Sequence, residues 1–161
     1  MACLSKIEGK IAMKTLEPTR PTRFLVVEDD DDHAEIVIRT LKKYSSHKIV
    51  DRAIDGVQAL SYLHRHGAFQ DKALPDVILL DLKLPKKDGH EVLAEIKGDD
   101  ELRLIPVVIL TTSDAEVDRL RAYRLSVNSY LVKPLDAEQF DDMIRDLSLY
   151  WATWNRGPHG A

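Results

Sequence analysis

Three short runs of wholly apolar residues constrain this chain more than any other feature: Phe24-Leu25-Val26-Val27, Val77-Ile78-Leu79-Leu80 and Val107-Val108-Ile109-Leu110. A strand with one solvated face alternates apolar and polar residues, whereas a strand with no polar position must be covered on both faces. Between the runs the pattern changes to helical spacing. Ala34, Val37, Ile38 and Leu41 lie one helical step apart, with Asp31 or Asp32 available as the N-cap. Gly56 opens a stretch carrying Val57, Leu60 and Leu63, and Gly89 opens one carrying Val92, Leu93 and Ile96. Weaker strands are expected from Lys48 to Ile54 and from Ser129 to Val132, and further helices over Asp114 to Leu125 and Ala137 to Trp154. His66 through Pro75 reads as a connecting loop. Five strands alternating with five helices predict an α/β, doubly wound (βα)5 fold around a five-stranded parallel sheet.

A chain of 161 residues suits one domain and can bury a core without staples. The single cysteine, Cys3, excludes an internal disulfide, and no Cys/His group has zinc-ligand spacing. No apolar run approaches the roughly 20 residues of a membrane span, and no signal-peptide core is visible at the N-terminus. A net charge of −4 argues against a general nucleic-acid binder. The expectation is a cytoplasmic protein with no membrane or direct nucleic-acid contact. Residues 1–22, ending in Glu17-Pro18-Thr19-Arg20-Pro21, read as an extended arm that carries Cys3.

In an open α/β sheet the site lies beyond the carboxyl ends of the strands, near the switch in strand order. There the sequence places Glu28 and Asp29, Asp81, Thr111 and Lys133, each just past a strand. Clustered carboxylates repel unless a cation sits among them, and hard oxygen ligands favour Mg²⁺. Adding an amine and a hydroxyl makes a place where a carboxylate could accept a phosphoryl group, a reaction that needs mostly positioning and charge stabilisation. Thr112 and Ser113 read as turn residues capping the next helix. The histidines show no ligand spacing, and His33, His64, His66 and His90 are expected at the surface.

At these residues the chain resembles the response-regulator receiver domains of two-component signalling. The resemblance rests on Phe24 to Asp30 (FLVVEDD), Asp81 to Gly89 (DLKLPKKDG), Val108 to Thr112 (VILTT) and Tyr130 to Pro134 (YLVKP), in that order. It implies a flavodoxin-like receiver fold over residues 23–150, with 1–22 an extension and 151–161 a tail continuing the last helix. It implies Asp81 as phosphoacceptor, and Mg²⁺ held directly by Asp29, Asp81 and the Lys83 backbone carbonyl, with Glu28 acting through water. Thr111 and Lys133 would contact the phosphoryl group, Tyr130 would change rotamer on switching, and a cis bond would precede Pro134. Residues 84–97 and 105–113 are similar to small regulators that partner phytochrome-type histidine kinases. A downstream phosphotransfer protein is a further implied partner.

The sequence departs from the family pattern at Leu125-Ser126-Val127-Asn128, where Gly-Ala is usual. Ser126 would then bear strain or use another cap. Lys83, two residues past the acceptor, bears on phosphoryl lifetime. It also stands where Asp-nucleophile phosphatases usually carry a second acid, which counts against enzymatic phosphohydrolysis. Neither a P-loop nor Gly-x-Gly-x-x-Gly is present. Phe140, Ile144, Leu147, Trp151 and Trp154 form one stripe on the last helix, and its aromatic end reads as a cap on the core or, preferentially, a docking surface. Arg119, Arg121 and Arg124 on the fourth helix could meet Asp136, Glu138, Asp141, Asp142 and Asp146 of a second copy, giving a homodimer through helix 4, strand 5 and helix 5 or through the aromatic tail. With only one helix and a tail after Pro134, output is expected through partner binding or phosphorelay. The alternative is a receiver-fold adapter that works without phosphorylation.

Overall fold

The computed structural model describes residues 20–44 and 47–158, so Cys3 and most of the expected N-terminal arm lie outside the described residues. Alternation of side chains along the three apolar runs builds the molecule. In β1 (Thr22–Val27), β3 (Val77–Leu80) and β4 (Val107–Thr111), Leu25, Val27, Ile78, Leu80, Val107 and Ile109 face one core. Their neighbours Phe24, Val26, Val77, Leu79, Val108 and Leu110 face a second. A strand with apolar residues at every position therefore carries two cores, one per face. The first is closed by α2 (Gly56–Leu63), α3 (Gly89–Gly98) and the end of α4 (Glu116–Arg124). The second is closed by α1 (Asp31–Lys43) and α5 (Ala137–Leu149).

With β2 (Lys48–Ala53) and β5 (Ser129–Val132) at the edges, the parallel sheet has the order β2-β1-β3-β4-β5. The strand order reverses between β1 and β3, which makes their carboxyl ends the switch point of the sheet. Among the described residues no helix is long and apolar enough to cross a membrane.

Several local expectations are corrected. The N-cap of α1 is Asp30, whose side chain accepts from the His33 amide, one residue earlier than the acids expected there. Helix α4 begins at Glu116, because Ser113 and Asp114 are used in the preceding loop, bonding Asp118 and Arg119. Its N-cap is Ala115, although the Ser113 hydroxyl does accept from the Ala115 amide. The last helix is α-helical only to Leu149; Tyr150–Trp154 form a π turn closed by the Asn155 amide on the Tyr150 carbonyl. A wider turn rotates each residue less about the axis than an α-helix does, so Trp154 stops short of the face that Trp151 presents; Trp151 packs on the second core while Trp154 is 70% exposed. His90 is buried, because the start of α3 packs beneath α4 and its Nε2 donates to the Asp118 carbonyl at 3.1 Å. No cis peptide occurs among the described residues, so the bond before Pro134 is trans, the intrinsically preferred isomer of an X–Pro bond.

Candidate functional site

The register of the sheet sets the site. Val27 pairs with Leu80, so the next residues, Glu28 and Asp81, leave the sheet side by side, joined through the Asp81 amide on the Val27 carbonyl at 3.1 Å. On the other side Thr111 pairs with Val132, and the Lys133 amide donates to the Thr111 carbonyl at 2.7 Å. Four segments distant in sequence thus deliver Glu28, Asp81, Thr111 and Lys133 to one edge.

All four are buried, with Asp81 at 7% and Thr111 at 0% exposure, while Asp29 is exposed beside them. The Lys133 ammonium donates to Glu28 Oε2, to Asp81 Oδ2 at 3.3 Å and to His33 Nδ1 at 3.1 Å. Burial pushes the Glu28 carboxyl up to about 7; the Lys133 hydrogen bond opposes that shift, and the neighbouring Asp81 charge adds to it. Glu28, Asp29 and Asp81 each offer an oxygen within 4.8 Å of the others. Three hard donors this close, two of them on buried carboxylates, fit a small divalent cation. The Lys83 amide donates to Asp81 Oδ1 at 3.3 Å, and its side chain is exposed.

Three further features hold the site, and sequence reasoning had not assigned them. Arg52 on β2 donates to the carbonyls of Glu28 at 3.1 Å and Asp29 at 3.3 Å and pairs with Asp31, fixing the backbone that carries the acids. Asp55 caps α2 and binds Lys86 at 2.7 Å, anchoring the β3–α3 loop. Gly89 stands so close to that loop that a Cβ would lie 2.3 Å from the Asp81 carbonyl. Only a residue without a side chain lets α3 start there. The expected Ser126 strain is present: its φ is +64°, and its amide and that of Val127 bond the Tyr123 and Ala122 carbonyls in a Schellman closure of α4.

Ser113 connects the site to α4. Its amide donates to Thr111 Oγ1 at 3.3 Å, its hydroxyl donates to Asp118 at 2.6 Å, and its carbonyl accepts from Tyr130 Oη at 2.9 Å. Tyr130 is half-buried against the first core.

The response regulator receiver domain matches residues 24–145. The chain belongs to that family. It is 44% identical over 143 residues, 89% of this chain and 92% of the relative, to the probable methanogenesis regulatory protein FilR2 of Methanothrix harundinacea. It is 40% identical over 136 residues to response regulator Rcp1 of Synechocystis, 84% of this chain and 92% of Rcp1. The Mn²⁺-bound structure of Rcp1 matches with a TM-score of 0.83 over 86% of this chain and all of that one. The phosphorylated cyanobacterial phytochrome response regulator RcpA matches with a TM-score of 0.84 and 37% identity, over 86% of this chain and 99% of RcpA. The protein is therefore a signalling receiver domain related to phytochrome response regulators, of a kind that works with a histidine kinase and binds a divalent metal.

Proposed function

We infer that Asp81 accepts a phosphoryl group from the phosphohistidine of a partner kinase, in a reaction that requires Mg²⁺. The observation that carries this reading is the convergence of Glu28, Asp29, Asp81 and Lys133 at the switch point, with Asp81 at its centre. A carboxylate oxygen of Asp81 attacks phosphorus, the O–P bond forms, and the P–N bond breaks with its electron pair returning to the imidazole. The imidazole leaves neutral when its other ring nitrogen carries the proton. Asp29, Asp81 and the Lys83 carbonyl would hold the ion directly and Glu28 through water; bound there, the ion neutralises charge on the phosphoryl oxygens. Lys133 turns one N–H from the carboxylate to the phosphoryl group.

Thr111 is the coupling residue. Its hydroxyl oxygen accepts from the Ser113 amide, so turning or shifting that hydroxyl to donate its proton to a phosphoryl oxygen moves an acceptor of Ser113, which is also bonded to Tyr130 and to Asp118 of α4. Phosphorylation thereby biases the position of α4 and Tyr130, and with it what the protein binds. The receiver is assigned to residues 23–150, and the likeness to RcpA and Rcp1 supports a phytochrome-type kinase as donor.

The test is intact mass after incubation with Mg²⁺ and acetyl phosphate. One phosphoryl adduct is expected, absent in Asp81→Asn and in metal-free protein. An adduct that survives Asp81→Asn overturns the assignment; no adduct with acetyl phosphate or with phosphorylated kinases indicates an adapter that works without phosphorylation. Homodimer formation through α4, β5 and α5 or the aromatic tail is supported by exposed Leu120, Tyr123, Tyr150 and Trp154. Sedimentation showing a monomer with and without beryllofluoride would remove it.

A further inference from the structure

His33 has no place in the phosphoacceptor chemistry above, yet it is the third partner of the catalytic lysine. An ammonium carries three donors and no acceptor. Lys133 directs them to Glu28, Asp81 and His33 Nδ1, so every N–H is used. Because lysine can only donate, Nδ1 must be the acceptor, which puts the ring proton on Nε2. The ring is itself held. The His33 amide is capped by Asp30 at 2.9 Å, and the imidazole stands edge-on to Phe140 with centroids 6.1 Å apart and planes at 89°. Phe140 is buried in the second core, so the acceptor position is set by the packing of α5 on α1.

We propose that His33 is a positioning residue that aims Lys133 at the phosphoryl group, an inference that rests on Asp81 being the acceptor. Glu28 and Asp81 compete for the ammonium, and the contact to Glu28 is the closer of the two. Without a third acceptor on its far side, the ammonium settles toward Glu28 and away from Asp81. His33 holds it between them. When a phosphoryl oxygen replaces the Asp81 carboxylate as one partner, the bond to His33 persists and Lys133 need only turn, not travel.

The experiment compares the rate of phosphoryl acceptance from acetyl phosphate, at saturating Mg²⁺, in the wild-type chain, His33→Leu and His33→Asn. An asparagine Oδ1 falls near the place of Nδ1 and keeps the acceptor; leucine keeps bulk against Phe140 and removes it. His33→Leu is expected to react on the order of tenfold more slowly, the rate equivalent of one lost charge-assisted hydrogen bond. His33→Asn is expected to recover most of the rate, with both variants showing folded melting transitions. Equal loss in the two variants, or a wild-type rate in His33→Leu, overturns the inference while leaving Asp81 as acceptor. A wild-type chain that takes no phosphoryl group at all overturns the function and the inference together. ¹⁵N spectra give the second readout: an unprotonated Nδ1 and slowly exchanging Lys133 ammonium hydrogens are expected, and a protonated Nδ1 contradicts the bond.

Discussion

Replacing Lys133 by methionine removes the one ammonium shared by two buried carboxylates. The side chains of Lys133, Glu28 and Asp81 are only 2%, 4% and 9% exposed. Breaking a buried pair by deleting one partner costs about 3–5 kcal/mol, because the other charge stays behind. The cost must depend on pH, and its sign can be worked out. In the folded wild-type protein Glu28 holds its proton up to about 7, against 4.5 for the free side chain. The native state therefore binds more protons than the unfolded chain between those values, and stability falls as pH rises through that window. The methionine variant loses the Lys133 hydrogen bond that lowers the Glu28 pKa but keeps the burial and the Asp81 charge that raise it. Its window extends further upward. Below about pH 7 the two proteins should run parallel, the variant weaker by about 3 kcal/mol, the low end of that range, for the Asp81 charge left unpaired. Above it the gap should widen by up to about 1.4 kcal/mol per pH unit. Urea unfolding followed by far-ultraviolet circular dichroism, in EDTA at pH 6, 7, 8 and 8.5, measures this. Excess Mg²⁺ should narrow the gap by supplying the missing charge. A deficit that is the same at every pH, or no deficit, refutes the reasoning that Lys133 neutralises Glu28.

Ser126→Gly should stabilise the protein by about 1 kcal/mol, since a left-handed conformation costs a side-chain-bearing residue about 1–2 kcal/mol and glycine returns part of that in chain entropy; a lowered melting temperature would contradict the Schellman closure. Gly89→Ala should destabilise by about 2 kcal/mol or more despite alanine's better helix propensity, because the new methyl meets the Asp81 carbonyl, a backbone atom that cannot rotate away. Denaturant titration checks it, and a neutral result would mean the β3–α3 loop yields easily.

Much of this molecule is set by local sequence. The three apolar runs specify buried strands because period-two geometry sends alternate residues to opposite faces, and apolar residues at every position admit only a doubly covered sheet. The same runs place Glu28, Asp81 and Thr111 at strand ends, and the order of the motifs marks the family. What the sequence could not show is which of its many surface-type residues meet across the sheet. His33 and His90 look alike as polar residues on amphipathic helices, yet His33 reaches Lys133, 100 residues away, and His90 is buried under α4. Arg52 and the Asp55–Lys86 pair are likewise invisible to periodicity, since they depend on the β1–β2 register and on how closely α2 approaches the β3–α3 loop. Strand positions follow from a one-dimensional pattern of hydrophobicity; hydrogen-bond partners depend on three-dimensional packing, and only the folded chain decides them.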